Sequence, residues 1–254
     1  MSEHSFSSAW RAQSLGRRLF LRVSAASAAT AGLVAAGCST PTPQPVKADP
    51  FQLALPTNGL GLLYYAYLLA VAQATTYQKV LDTPPADLTL AERAIFSDLR
   101  DHEVIYRELL KRTIDPAGTT TLFPADFAFA LTPFTLTTRA GVLAAALQLE
   151  ELVAAAYPVL LSLFFVEANL LPAQRTVLLA QRALLLKTSS VHARHAATVR
   201  DLIAPGSFAN DDVVTNTGLL AGQIRTKTPT EVMAALAPFF APYVINVVNL
   251  PTPA

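Results

Sequence analysis

Apolar positions recur every three to four residues over most of the chain from about 59 to 204, and no segment alternates as a half-buried strand would. The spacing predicts four helices. The first, about 59–81 (GLGLLYYAYLLAVAQATTYQKVL), is apolar nearly all round, which predicts burial. After a DTPPAD loop, Thr89 and Glu92 form the capping box T-L-A-E that opens the second helix, reaching about Arg112. Its inward stripe is Ile95, Leu99, Glu103 with His102, Tyr106 and Leu110. The third runs from near Thr138 to about Asn169, with Pro158 expected to kink or divide it. Its stripe is Leu143, Leu147, Glu150, Ala154, Tyr157 and Leu161. The fourth runs from Pro172, a favourable first-turn residue, to Ala204, with Leu185, Thr188, His192, His195, Val199 and Leu202 on one face.

A Pro- and Phe-containing stretch, 113–136, separates the two helix pairs. The predicted fold is all-α: an up-down four-helix bundle, 58–205, with a long central connection. Residues 206–254 form a C-terminal extension rich in apolar residues, expected to pack on the bundle. Thr228, Pro229 and Glu231 open a short helix in it that ends near Pro238.

Composition adds an address. Residues 1–37 carry four Arg and one Glu, although the whole chain is only +1. The run GRRLFLR precedes a short, Ala-rich apolar stretch and small residues, the pattern of an export signal and too short for a good membrane span. Arg17-Arg18 followed by Leu19-Phe20-Leu21 resembles a twin-arginine signal, with Gly16 and Arg22 as departures. Ala35-Ala36-Gly37-Cys38 resembles a lipobox, which would lipidate the chain's single cysteine and anchor it to a membrane. Residues 38–57 then read as a Pro-rich tether, and the location as periplasm or cell envelope. The body left after the leader is slightly acidic, which argues against a nucleic-acid partner. Nothing in the sequence names a protein partner.

Candidate chemistry gathers at mid-helix. Glu103, Glu150, His192 and His195 are polar residues on apolar stripes, and His192 and His195 lie three apart, on one side of a helix. A four-helix bundle can hold metals on inward carboxylates and histidines. The phrases LRDHEVIYRELL, LQLEELVAAAY, SSVHARHAATVRDL and TPTEVMAALAPFF resemble the ferritin-like family that includes bacterial desiccation-related proteins, over about 58–240. The resemblance implies a two-iron site built from Glu residues and two Glu-x-x-His motifs. Glu103, Glu150 and His195 match it. Tyr106 stands where a His is implied, His192 where a Glu is implied, and Ala70 where the first helix would supply a Glu, with Gln73 one turn on.

Two carboxylates are too few for a pair of irons carrying roughly four to six positive charges. The site therefore reads as degenerate, and two readings remain. In one, no cofactor is bound and Glu150 sits in a polar plug, satisfied by Tyr106, His195 or Arg194. In the other, Glu103, Glu150, His192 and His195 hold a single transition-metal ion. The function expected first is a non-catalytic, structural or stress-related envelope protein. A single-metal or redox protein is the alternative, and a carrier of an apolar ligand, suggested by the Ala-rich faces, is the third. No Ser-His-Asp arrangement, Gly-rich phosphate loop or CxxC is present.

Overall fold

The computed structural model describes residues 49–119, 122–164, 171–208, 213–215 and 217–251. The expectations for Arg17, Arg18 and Cys38 lie outside the described residues. The helices are α1 (Gly59–Asp82), α2 (Leu90–Ile114), α3 (Arg139–Leu163), α4 (Pro172–Ile203) and α5 (Pro229–Phe240). Two short strands, β1 (Gln52–Ala54) and β2 (Val244–Asn246), pair in parallel, with Leu53 opposite Ile245.

Local chemistry sets the helix starts. Asn58 caps α1 through the Leu60 N–H. Thr89 and Glu92 close the expected capping box on α2, and Thr228 and Glu231 close one on α5. Thr138 caps α3 through the Gly141 N–H. Gly141 is required there: a Cβ on it would lie 1.9 Å from the Thr135 carbonyl oxygen, so the connection could not approach the helix.

The helices pack as two hairpins, α1 with α2 and α3 with α4. One hydrophobic cluster joins the end of α1 (Tyr77, Val80), the start of α2 (Phe96, Leu99), the start of α3 (Val142, Leu143) and the end of α4 (Val199). The starts of α2 and α3 thus share one end of the bundle, and the two helices run parallel. The long connection between them travels back along the bundle to make this possible. It carries its own anchors: Phe123, Phe127, Phe129 and Phe134 pack against the larger core cluster.

Arg139 ties the shared end together. Its guanidinium donates to Glu92 Oε1 at 2.6 Å and to the Leu202 carbonyl at 2.9 Å, and its backbone N–H donates to Asp87 Oδ1 at 2.9 Å. One residue therefore links the starts of α2 and α3 to the end of α4.

The C-terminal extension packs on the bundle. Val232, Leu236, Phe239 and Phe240 of α5 are buried in the main core. Phe129 stacks on Phe239 with ring centroids 5.1 Å apart, and the Ala130 N–H donates to the Phe239 carbonyl at 2.7 Å. β2 then returns to β1, where Leu55 and Ile245 are buried. The tether expected over 38–57 therefore does not reach residue 57. Gln52–Ala54 belong to the folded body, because a three-residue strand is too short to leave an alternating pattern.

α3 also ends earlier than expected. It passes through Pro158 as one helix and stops at Leu163. Phe164 leaves the helical conformation, and its buried ring lies against Gly59. Residues 165–170, within which Asn169 was the expected end, lie outside the described residues. Proline cannot donate to the preceding turn, which loosens the carbonyls there. The Ala155 carbonyl, one residue past the Ala154 carbonyl that Pro158 cannot serve, accepts from the Lys227 N–H at 2.9 Å. α3 is long and apolar enough to cross a membrane, and most of its apolar window is buried in the bundle.

Candidate metal centre

Glu103 from α2, Glu150 from α3, and His192 and His195 from α4 meet in the bundle core, and all four are buried. Each offers one ligand atom, and the four atoms lie within 4.8 Å of one another. The stripe residues around them explain the inward direction. Leu99 and Leu110 flank Glu103 along α2, Leu143 and Tyr157 flank Glu150 along α3, and Leu185, Thr188 and Val199 flank the histidines along α4. Glu151, next to Glu150, points away and pairs with Arg200.

The Nδ1 atoms of both histidines face the carboxylates. His192 Nδ1 is 3.4 Å from Glu150 Oε2 and 3.6 Å from Glu103 Oε1. His195 Nδ1 is 3.5 Å from Glu103 Oε1 and 3.5 Å from Glu150 Oε1. These separations are long for hydrogen bonds but suit groups around a shared centre. The two imidazole planes cross at 89°. Tyr157 and Tyr106 wall the His192 ring, with centroids 5.0 and 5.8 Å away.

The two glutamates differ. Glu150 accepts a 2.6 Å hydrogen bond from the Tyr77 hydroxyl. Among the described residues neither carboxylate oxygen of Glu103 has a hydrogen-bond partner, and His195 Nδ1 has none either. Burial alone would raise both carboxyls. It dominates at Glu103, with the Glu150 charge adding to it, and raises that group despite the opposing histidines. At Glu150 burial is outweighed by the two imidazoles of His192 and His195 facing it, which hold it down at about 2. Burial would lower His195, but Glu103 and Glu150 outweigh it and push the imidazole up to about 9. Burial and Glu150 together raise the Tyr77 phenol well above its ordinary value, so it stays a neutral donor.

The plug expected around Glu150 is differently made. Its hydroxyl partner is Tyr77, not Tyr106, and Arg194 turns outward to Ser190 Oγ at 2.8 Å. Tyr77 serves both packing and the site, because its ring also meets Phe96 at 5.8 Å. Following the α1 face from Gln73 by one turn would have found it. Gln73 itself is fully buried, and among the described residues neither amide atom has a hydrogen-bond partner. His102 was placed on the inward stripe but is exposed, and meets the site through the outer nitrogen of His195.

The donors test what the core can hold. Ala70 is buried among apolar side chains and offers no ligand atom, and Tyr106 presents a phenol where a second iron would need an imidazole. The set does not fit two irons. Two neutral imidazoles and two carboxylates instead balance one divalent ion in charge, with nitrogen and oxygen donors suited to zinc, copper or manganese.

Elsewhere, the Ala-rich faces of α3 and α4 leave a cleft of about 200 Å³ beside Pro158, floored by Ala154, Ala193 and Ala197 and rimmed by Arg200 and Lys227.

Comparison with curated proteins and with solved structures gives no match. The family model for the ferritin-like domain matches residues 58–205, which span α1 to the end of α4 and contain all four converging side chains. The chain belongs to the ferritin-like domain family.

Proposed function

We propose that this chain is an exported, lipid-anchored envelope protein whose bundle holds one divalent transition-metal ion in place of a two-iron centre. Its role is structural or stress-related, of the kind its resemblance to desiccation-related proteins suggests, and not catalytic oxidation. The observation that carries the metal reading is Glu103. A fully buried carboxylate with no hydrogen-bond partner is costly, and a cation among the four side chains would remove that cost. The leader Arg17-Arg18 and the single Cys38 support export and anchoring.

The Tyr77–Glu150 bond favours a second reading, the metal-free plug. An ionised Glu150 and a protonated His195 would then neutralise one another. Metal analysis of the protein recovered from its native envelope separates the two. About one ion per chain supports the site. Metal-free protein that also binds none on incubation with Zn²⁺, Cu²⁺ or Mn²⁺ supports the plug. Rapid oxidation of added ferrous iron, with two irons retained per chain, would overturn both.

A further inference from the structure

His102 Nδ1 lies 3.0 Å from His195 Nε2, and the two rings are parallel to within 10°, centroids 5.1 Å apart. His102 is exposed and His195 is buried. The two consecutive residues His102 and Glu103 on α2 thus hold one imidazole of α4 from both sides. Glu103 faces Nδ1 on the inside, and His102 meets Nε2 on the outside.

The proton positions follow from this. Two imidazole nitrogens 3.0 Å apart share one proton, so one donates and the other accepts. For His195 to bind a cation through Nδ1, that nitrogen must offer a bare lone pair, which places the ring proton on Nε2. His195 then donates, and His102 Nδ1 accepts. If His195 carries protons on both nitrogens, Nε2 still donates and His102 still accepts. The contact needs no rearrangement between the two states. A metal-binding histidine is commonly fixed through its second nitrogen by a carboxylate or carbonyl. Here an exposed histidine from the neighbouring helix fills that position.

We propose that His102 is a positioning residue for the metal site: its Nδ1 accepts from His195 Nε2 and so fixes the tautomer and ring direction of a ligand. The ion is a divalent transition metal that takes imidazole nitrogen and carboxylate oxygen. This inference rests on the metal reading above.

The test uses the mature chain and Cu²⁺ alone, with affinity measured by competition with a chelator and the site read by electron paramagnetic resonance. His102→Ala should weaken Cu²⁺ binding on the order of 10–100-fold and change the nitrogen hyperfine pattern. His102→Asn places an amide oxygen where Nδ1 stood, so it should recover most of the affinity and the wild-type spectrum. Because His102 is exposed, both variants should melt close to wild type. Wild type that binds Cu²⁺ together with an unchanged His102→Ala variant would overturn this inference alone. Equal loss in the Ala and Asn variants would overturn it too, since the acceptor would then not matter. Wild type that binds no Cu²⁺ would overturn the metal reading and this inference with it.

Discussion

The Tyr77 hydroxyl donates to Glu150 Oε1 at 2.6 Å, across the interface of α1 and α3. That bond distinguishes two buried glutamates that otherwise share one environment. Glu150 has a hydroxyl donor that stabilises its charge, and Glu103 has no hydrogen-bond donor among the described residues. Tyr77→Phe keeps the ring that packs on Phe96 and removes only the hydroxyl. The expected loss is about 1.5–3 kcal/mol in metal-free protein, the range for a hydrogen bond to a charged group. Urea denaturation of the metal-stripped variant checks it, and an unchanged midpoint would mean that Glu150 is not ionised there.

Stability of the metal-free protein should fall as the solution turns alkaline. The His195 pKa is raised from 6.5 to about 9 on folding. Its contribution is therefore fully present below pH 6.5 and lost as pH rises through about 9. The size is roughly a few kcal/mol. Glu103, also raised, acts in the same direction at lower pH. Melting temperatures across this window, compared with His195→Gln, should show a decline in wild type that the variant lacks.

The C-terminal extension should contribute to the stability of the bundle. Leu236 is fully buried in the main core, within α5. Leu236→Ala is expected to cost about 2–5 kcal/mol, since it removes buried methyl groups and leaves a cavity. A midpoint shift in urea measures this, and a negligible shift would mean that the extension does not share the core.

How far the sequence could be read varies by element. The four bundle helices were legible from apolar positions at helical spacing, on a stripe in α2, α3 and α4 and nearly all round α1, and Thr/Glu boxes marked the starts of α2 and of α5 in the extension. The convergence of Glu103, Glu150, His192 and His195 was legible because polar residues on apolar stripes must find one another in the core. Tyr77 was harder, because an aromatic on an all-apolar helix gives no sign that its hydroxyl meets a carboxylate 73 residues away. The Arg139–Glu92 link also joins distant segments and leaves no local pattern. The short strands were hidden by their length. The outward turn of His102 could have been read from its neighbour: one step of a helix sends adjacent residues in different directions, so an inward Glu103 turns His102 away from the core.

Export and anchoring are separable by substitution. Changing Arg17 and Arg18 together to Lys should block export and leave the bundle foldable, because both precede the described body. Cys38→Ser should move the exported protein from the membrane fraction to the soluble one. Normal export of the first variant would mean that the general secretory route is used. Continued sedimentation of the second with membranes would contradict the lipid anchor.

A bound ion would be seen most directly in a crystal of the protein recovered from cells, with diffraction recorded above and below the absorption edges of zinc, copper, manganese and iron. A single anomalous peak is expected among Glu103, Glu150, His192 and His195, lost in a Glu103→Gln variant that keeps the same bundle. No peak, with the four side chains hydrogen-bonded to one another, would contradict the metal reading in favour of the plug. Two iron peaks would contradict it in favour of a working two-iron centre.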